Sequence, residues 1–278
     1  LYCLILSGVI NVILNVFFVV ICNLSVAGVA IATIIADTVS AMLVTWFLIR
    51  SDSVVKLNVK KLTLKKEYVK KVVQIGAPAG LQGAVFSVSN VCIQAGINSF
   101  GTAAIAGSAA ALNFEYFTYF TTNAFGQAAV TFVSQNYGAK QYDRCKKALR
   151  LSMLSGMIIT AIMCFIFVAG RSTFVGIYTN DPAAIQYGVV RMVVVELFEF
   201  FVGFYEIPGG ALRGLGHSLL PAILTVFGSC GLRIVWIYTV FQKFHTFPVL
   251  MAVYLVTWTV TSILVLIAYF YVTRKEYQ

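Results

Sequence analysis

The sequence predicts an all-α, polytopic membrane protein with eight transmembrane helices. Of its 278 residues, 60% are hydrophobic and only 11% are charged, whereas about 25% of the residues of a soluble protein are charged. Apolar runs of 20 residues and more recur along the chain, and this length crosses a hydrocarbon core of about 30 Å as a helix. The alternating pattern of a membrane β-barrel is not found in the sequence.

Eight segments are long enough to cross the bilayer. They are residues 1–22, 24–50, 69–98, 102–136, 148–170, 183–207, 218–241 and 247–273. Before the sixth segment, Asp181 is predicted to be a helix N-cap, with Pro182 at the first helical position. The Gly-Ala-Pro sequence at 76–78 is predicted to open the third segment, and the Pro-Gly-Gly sequence at 208–210 to close the sixth.

The basic residues lie almost entirely in alternate loops. If all eight segments cross the membrane, sixteen Lys and Arg residues lie in the loops of one side, and two, Arg171 and Lys243, in those of the other. Since basic loops face the cytoplasm, the C-terminus is predicted to be cytoplasmic and the protein to lie in the cell (inner) membrane. The net charge of +10 is thereby explained without a nucleic-acid partner.

The domain organisation follows from the longest and most basic loop, residues 51–71. It is predicted to be a cytoplasmic linker on the inner side of the lipid bilayer. On one side of it lie two helices in residues 1–50, and on the other side six helices in residues 72–278. Helices joined by short loops on each side of such a linker indicate two separate bundles.

Nothing in the sequence indicates catalysis. The HExxH, GxSxG and Walker A motifs are absent. His217 and His245 are predicted to lie at opposite ends of the membrane, so they cannot share a site. The six cysteines show no CxxC spacing, and packing in apolar helices explains them better than a metal or disulfide role. We therefore expect no catalytic residue, no metal centre and no cofactor.

Acidic residues inside the predicted spans are the main candidates for a functional site. Asp37 lies in the second segment, Glu115 in the fourth, and Glu196 and Glu199 near the centre of the sixth. A charged residue at mid-bilayer costs about 2.5–3.5 kcal/mol on insertion scales, so it normally faces a cavity or a partner. Burial raises the pKa of a carboxyl group, which favours reversible proton binding near neutral pH. Carboxylates also bind Na⁺, so Glu196 and Glu199 are candidate Na⁺ ligands.

Two interpretations of these charges remain open. In the first, Glu115, Glu196 and Glu199 surround a wet pocket and bind a proton, Na⁺ or an amine. In the second, Arg233 of the seventh segment pairs with one of the glutamates as a structural bridge. Arg191 is expected near the outer end of the sixth segment, where its guanidinium can reach the interface. One arginine cannot neutralise all the acids, so some acid is left over.

The third and fourth segments contain too many polar residues to face lipid throughout. Tyr116 and Tyr119 lie close to Glu115 in the sequence, and aromatic rings beside a carboxylate suit an organic cation. Asn90 and Gln94 add amide side chains from the third segment. These four residues join the candidate site, and packing is the alternative role for the two tyrosines.

Three motifs resemble those of the multidrug and toxic compound extrusion (MATE) transporters. The sequence TFVSQNYG at 131–138 resembles one family signature, and GALRGLG at 210–216 resembles a second. The Gly-Ala-Pro sequence at 76–78, after a basic loop, resembles the start of the family's second bundle. The resemblance covers essentially the whole chain. It implies the last two helices of an N-lobe and all six helices of a C-lobe, and Leu1, inside an apolar run, is expected to mark a truncation.

The resemblance also implies a function. Such transporters are secondary antiporters that export organic cations in exchange for H⁺ or Na⁺, by alternating access between two lobes and without a cofactor. The missing N-lobe helices would be a partner of this chain. Some members carry an acid eleven residues before the loop arginine, where this sequence has Val202, and Glu199 lies about one turn earlier. The alternative is a lipid or lipid-linked oligosaccharide flippase of the same superfamily, whose cavity would need several cations.

Overall fold

The computed structural model describes residues 2–51, 56–58, 63 and 65–277, and the regular structure of these residues is helical. The chain divides into two compact units, Leu1–Tyr68 and Val69–Gln278, which we describe separately. The division falls inside the predicted linker 51–71. Residues 52–55, 59–62 and 64 of that linker lie outside the described residues, so the linker as a whole stays a prediction.

The first unit is a helical hairpin. Helix α1, Tyr2–Val16, continues through a π-helical turn, Phe17–Ile21, and is followed by α2, Ser25–Arg50. Asn23 in the connecting turn adopts a left-handed backbone conformation with φ 53°, which asparagine tolerates better than most residues. Buried small residues of α2, among them Ala32 and Ala36, allow the two helices to pack closely.

The second unit contains the other predicted spans. Its helices are α3 Lys66–Asn98, which begins in the last residues of the first unit, α4 Thr102–Gly138, α5 Tyr142–Ala169, α6 Arg171–Gly176, α7 Pro182–Val194, α8 Gly203–Gly214, α9 Leu219–Thr225, α10 Leu232–Tyr238, α11 Val240–Lys243 and α12 Phe247–Glu276. A 3₁₀ segment, Glu196–Val202, lies between α7 and α8. A π-helical segment, Val226–Gly231, joins α9 to α10.

Six helical runs in the described part of the chain are long and apolar enough to cross a membrane. They are Tyr2–Ile21, Ser25–Arg50, Lys66–Asn98, Tyr142–Ala169, Leu219–Lys243 and Phe247–Glu276. The two remaining predicted spans correspond to α4 and to the interrupted run formed by α7, the 3₁₀ segment and α8. The all-α membrane fold is confirmed, and the crossing of the membrane by these two runs stays a prediction.

Several helix ends differ from the prediction. The N-cap at Asp181 is confirmed, since its carboxylate accepts a hydrogen bond of 3.0 Å from the Ala183 amide. By contrast, Pro78 lies inside α3 and Pro208 inside α8, so neither proline marks a helix end as predicted. Proline is tolerated inside membrane helices because neighbouring groups satisfy the freed backbone.

Helix α4 is the centre of the second unit and packs against α5, α7 and α8. Its contact with α8 is made by backbone, because glycines face each other there. A Cβ atom added to Gly210 would lie 2.5 Å from the carbonyl oxygen of Gly126, and one added to Gly214 would lie 2.8 Å from that of Val130. Gly210 and Gly214 of the GALRGLG motif therefore allow α8 to pack directly against the backbone of α4.

We expect Gly210→Ala to lower the stability of the protein by about 1–3 kcal/mol, because the new methyl group overpacks the α4–α8 contact. The measurement is thermal unfolding in detergent. Gly138→Ala is the matched control, since a Cβ atom at Gly138 meets nothing within 4 Å. Equal stability of the two variants would contradict the backbone contact.

Candidate functional site

A cavity of about 690 Å³ lies in the second unit, with walls formed by α3, α4, α7, the 3₁₀ segment Glu196–Val202, α8, α10 and α12. Seven of the nine predicted site residues line it: Asn90, Gln94, Glu115, Tyr116, Tyr119, Glu199 and Arg233. The aromatic rings of Phe86, Tyr254 and Trp258 complete its apolar surface. Cavities of about 300–1,000 Å³ accommodate drug-sized ligands, so the size of this cavity suits a small organic molecule.

A buried ion pair joins α4 to α7 beside the cavity. Arg191 donates from Nε to Glu115 Oε1 at 2.5 Å and from Nη2 to Oε2 at 2.8 Å. The two side chains are only 3% and 7% exposed. The expectation that Arg191 reaches the membrane interface is therefore wrong, because Glu115 satisfies its charge inside the bundle. Glu115 lies at the predicted place in the cavity, but its carboxylate is already paired.

The chain changes its helical form where the two central glutamates lie. The predicted continuous helix over 183–207 is wrong, since the 3₁₀ segment Glu196–Val202 separates α7 from α8. In a 3₁₀ helix, residues three apart stand directly above one another, so Glu196 and Glu199 project from the same side. Departures from α-helix in mid-helix often mark functional segments, and here one brings two acids together.

Glu196 and Glu199 form a buried carboxyl pair. Thr118 of α4 donates a hydrogen bond of 2.6 Å to Glu196 Oε1. The two carboxyl groups are close enough to share a hydrogen bond when one of them carries a proton. Without that proton, the Oε2 atom of each has no partner among the described residues. Glu199 lines the cavity, whereas Glu196 is fully buried behind it, so only Glu199 can meet a ligand directly.

Arg233 does not bridge to any of the glutamates. Its Nη1 donates to the Asn90 side-chain oxygen at 2.9 Å, and its guanidinium lies 4.6 Å from the ring centre of Tyr254. Within the described residues, no carboxylate lies within 4.0 Å of it. The second interpretation therefore named the wrong arginine, since the structural bridge is formed by Arg191.

A second ion pair in the cavity wall was not predicted from the sequence. Arg213 donates from Nη2 to Glu206 Oε1 at 2.9 Å, and both residues belong to α8. The sequence did contain a signal for this pair: a spacing of seven residues is two turns of an α-helix and places both side chains on the same side. The pair neutralises the charges of both side chains within α8.

Three other predicted residues have simpler environments. Tyr116 is 49% exposed and its ring lies 6.0 Å from that of Phe120 in a stacked arrangement. Asp37 is exposed on α2 of the first unit, whereas the cavity lies in the second unit. Gln94 donates to Asn98 at 2.9 Å along α3. These positions leave each residue available to a ligand but show no contact that requires one.

The two histidines belong to separate networks. His217 lies 3.1 Å from Glu276, which also accepts a hydrogen bond from the Tyr137 hydroxyl. His245 lies 3.3 Å from the Ser99 hydroxyl. Among the residues that the structure describes, no group of three or more His, Cys, Asp or Glu side chains is placed to hold a metal ion.

The chain matches a known protein family and is similar to several curated proteins. The MatE family matches residues 78–239. "Probable multidrug resistance protein NorM" of Thermotoga maritima is 23% identical over 205 residues, which cover 73% of this chain and 44% of that protein. "Multidrug export protein MepA" of Staphylococcus aureus is 22% identical over 219 residues, or 78% of this chain and 48% of that protein.

The fold also matches solved structures. A crystal structure described as MATE in complex with MaL6 superposes with a TM-score of 0.90 and 14% identity, over 99% of this chain and 62% of that chain. This match establishes a shared fold. The chain spans about half the length of the curated relatives that it matches.

Proposed function

The chain belongs to the MatE family, and from this premise we propose that it is part of a secondary active antiporter. The antiporter exports organic cations, including drugs, in exchange for H⁺ or Na⁺. Glu199 carries the proposal, because it is a cavity-lining carboxylate, only 4% exposed, whose Oε2 has no partner in the described part of the chain. Such a group binds a proton, a metal cation or an organic cation in turn, and this competition couples the two fluxes.

The cavity supplies suitable contacts for an organic cation. Tyr119, Tyr254 and Trp258 place aromatic rings around the same space as Glu199. A cation over an aromatic face gains about 0.5–2 kcal/mol in addition to its attraction to a carboxylate. Apolar rings tolerate ligands of different shapes, which agrees with export of several drugs.

The carboxyl pair supplies suitable contacts for the coupling ion. Glu196, Glu199 and Thr118 offer only oxygen atoms, which suit a shared proton or a Na⁺ ion. The 3₁₀ segment that carries both glutamates links α7 to α8, so a change in the pair is transmitted directly to two helices. We propose that this segment is where ion binding alters the helix arrangement during alternating access.

The remaining parts of the proposal concern the whole transporter. The chain would supply two helices of an N-lobe and the complete C-lobe, with the missing N-lobe helices closing the cavity. It would lie in the cell (inner) membrane with a cytoplasmic C-terminus, as the basic loops predict. Asp37 is proposed to serve the N-lobe side of the transport path. The relatives are described as drug-resistance and export proteins, so the proposal is of a transporter and not of an enzyme.

One observation favours the alternative, a lipid or lipid-linked oligosaccharide flippase. Three arginines line the described part of the cavity, namely Arg191, Arg213 and Arg233. Two of them are neutralised by Glu115 and Glu206, which leaves Arg233 alone to attract a phosphate group. A pyrophosphate headgroup carries several charges, so antiport of organic cations is the better supported function.

The test is gradient-driven transport by the full-length protein that contains this chain, reconstituted in lipid vesicles. We expect the cationic dye rhodamine 123 to move against its gradient when a pH or Na⁺ gradient is imposed, and the movement to stop when an ionophore removes that gradient. The ion that drives the movement identifies the coupling ion. Movement of a fluorescent lipid-linked pyrophosphate instead of the dye would favour the flippase, and no gradient-dependent movement of the dye would refute the antiporter.

A further inference from the structure

We propose that Arg233 and Asn90 form an anion subsite in the cavity, which binds the carboxylate of a zwitterionic substrate while Glu199 attracts its cationic group. The proposal rests on the proposed function and names a substrate class for the same cavity. It assigns a specificity-determining role to a side chain that the coupling mechanism does not use.

The hydrogen-bonding capacity of Arg233 is poorly used within the chain. The side chain is only 3% exposed, and it lines the cavity. Its hydrogen bond to the neutral side-chain oxygen of Asn90, at 2.9 Å, is the one that the described residues provide. Its Nε atom has no partner among them. A buried charge without a counter-charge is unfavourable, so a ligand that supplies an anion would be stabilised here.

Arg191 and Arg233 have different partners in similar surroundings. Both guanidinium groups face the ring of Tyr254, at 5.8 Å for Arg191 and 4.6 Å for Arg233. Arg191 is fully engaged by the two oxygens of Glu115, whereas no carboxylate of the described chain takes the same place at Arg233. The second unit therefore contains one arginine that joins two helices and one that lines the cavity without a carboxylate partner among the described residues.

The side chain of Arg233 is fixed in position by its neighbours. The ring of Tyr254 lies on the guanidinium, the ring of Phe86 lies 5.7 Å away, and Asn90 holds Nη1. These contacts come from two other helices, α12 and α3, while Arg233 belongs to α10. An arginine fork that is already oriented loses little freedom when it binds a carboxylate with two parallel hydrogen bonds.

The charges of the cavity wall also leave Arg233 without an ion pair among the described residues. The described lining contains three glutamates and three arginines. Two ion pairs, Glu115 with Arg191 and Glu206 with Arg213, account for four of these charges. Glu199 and Arg233 remain, with opposite signs and no ion pair within the described residues. A ligand that carries both an amine and a carboxylate matches this pair of charges better than a simple cation does.

The experiment compares two dyes that share one fluorophore. Rhodamine 110 has a free carboxylate, and rhodamine 123 is the same molecule with that group blocked as a methyl ester. Binding to the full-length protein in detergent is followed by fluorescence polarisation. We expect Arg233→Gln to weaken binding of rhodamine 110 by about tenfold or more, since a hydrogen bond to a charged group is lost. The affinity for rhodamine 123 should change by less than about twofold, because it makes no charged contact with Arg233.

A second variant protects the test against a folding defect. Asn90→Asp places a carboxylate next to Arg233 and so fills the subsite from within the protein. We expect it to fold at least as well as the wild type and to lose rhodamine 110 binding while keeping rhodamine 123. Arg150→Gln, at an exposed position of α5, is the control for loss of one positive charge.

The outcomes separate this inference from the proposed function. If Arg233→Gln and Asn90→Asp change the affinity for both dyes equally, or if the wild type does not bind rhodamine 110, the anion subsite is refuted. In that case gradient-driven export of rhodamine 123 still supports the antiporter. If selective loss of rhodamine 110 is found but no dye is exported under any gradient, the subsite stands and the antiporter fails.

Discussion

Glu199→Gln is expected to reduce gradient-driven export of rhodamine 123 by about 10–100-fold, the range set by losing a charged hydrogen bond or ion contact. Glutamine preserves the shape of the side chain, so the 3₁₀ segment and the cavity should be retained. It removes the negative charge that attracts the dye and the group that shares a proton with Glu196. Export is measured as loss of dye from energised cells that produce the full-length protein.

The control for this variant is Glu67→Gln. Glu67 lies in the first turn of α3, is exposed, and does not line the cavity. Its export should equal that of the wild type when the two variants are produced at the same level. Normal export by Glu199→Gln would show that the carboxyl pair is structural and would remove the basis of the proposed ion coupling.

Arg191→Met is expected to lower the stability of the protein by about 3–5 kcal/mol, because it leaves the carboxylate of Glu115 buried without a partner. Methionine fills a similar volume, so most of the loss should come from the charge and little from a cavity. The measurement is thermal unfolding of the purified protein in detergent, at a pH where a free carboxylate is ionised.

A double variant distinguishes the ion pair from general packing. Replacing both partners, as Arg191→Met with Glu115→Leu, removes the two charges together. Because buried ion pairs can often be exchanged for apolar residues of similar volume at little cost, we expect the double variant to recover most of the lost stability. A further, additive loss would mean that Glu115 is stabilised by other groups and that the pair is not the contact joining α4 to α7.

The sequence predicted the all-α membrane fold and seven of the residues that line the cavity for a physical reason. Acids such as Glu115 and Glu199 are costly in a bilayer wherever they lie, so their presence in an apolar segment already indicates a protected environment. The amides of Asn90 and Gln94 follow the same logic. The protected location of these residues could be predicted, because the cost of exposing a charged or polar side chain to lipid does not depend on the details of packing.

The pairing of charges could not be predicted, because it depends on how helices rotate against one another. Arg191 and Glu115 are separated by 76 positions, and nothing local indicates that α7 turns its arginine towards α4. Close backbone contacts between α4 and α7 fix that rotation, since a Cβ atom added to Gly107 would lie 2.8 Å from the amide nitrogen of Gly188. The sequence therefore indicated that a bridge was needed but named Arg233 in place of Arg191.

The 3₁₀ segment was missed for a different reason. Residues three apart share a face in both an α-helix and a 3₁₀ helix, so the spacing of Glu196 and Glu199 fits either. No proline or glycine lies between Val189 and Val202 to signal a change. Pro78 and Pro208 caused the opposite error. A helix end was predicted at each of these prolines, but each lies inside a helix.

The central claim is that an organic cation and the coupling ion compete for the carboxyl pair at Glu199. The most direct measurement is the affinity of the purified full-length protein for rhodamine 123 as the pH is lowered and as Na⁺ is added. A proton or Na⁺ on the carboxylate removes its attraction for the dye, so the affinity should fall with at least one of the two ions, and Glu199→Gln should remove this dependence. An affinity that stays constant in the wild type at every pH and Na⁺ concentration would contradict the account.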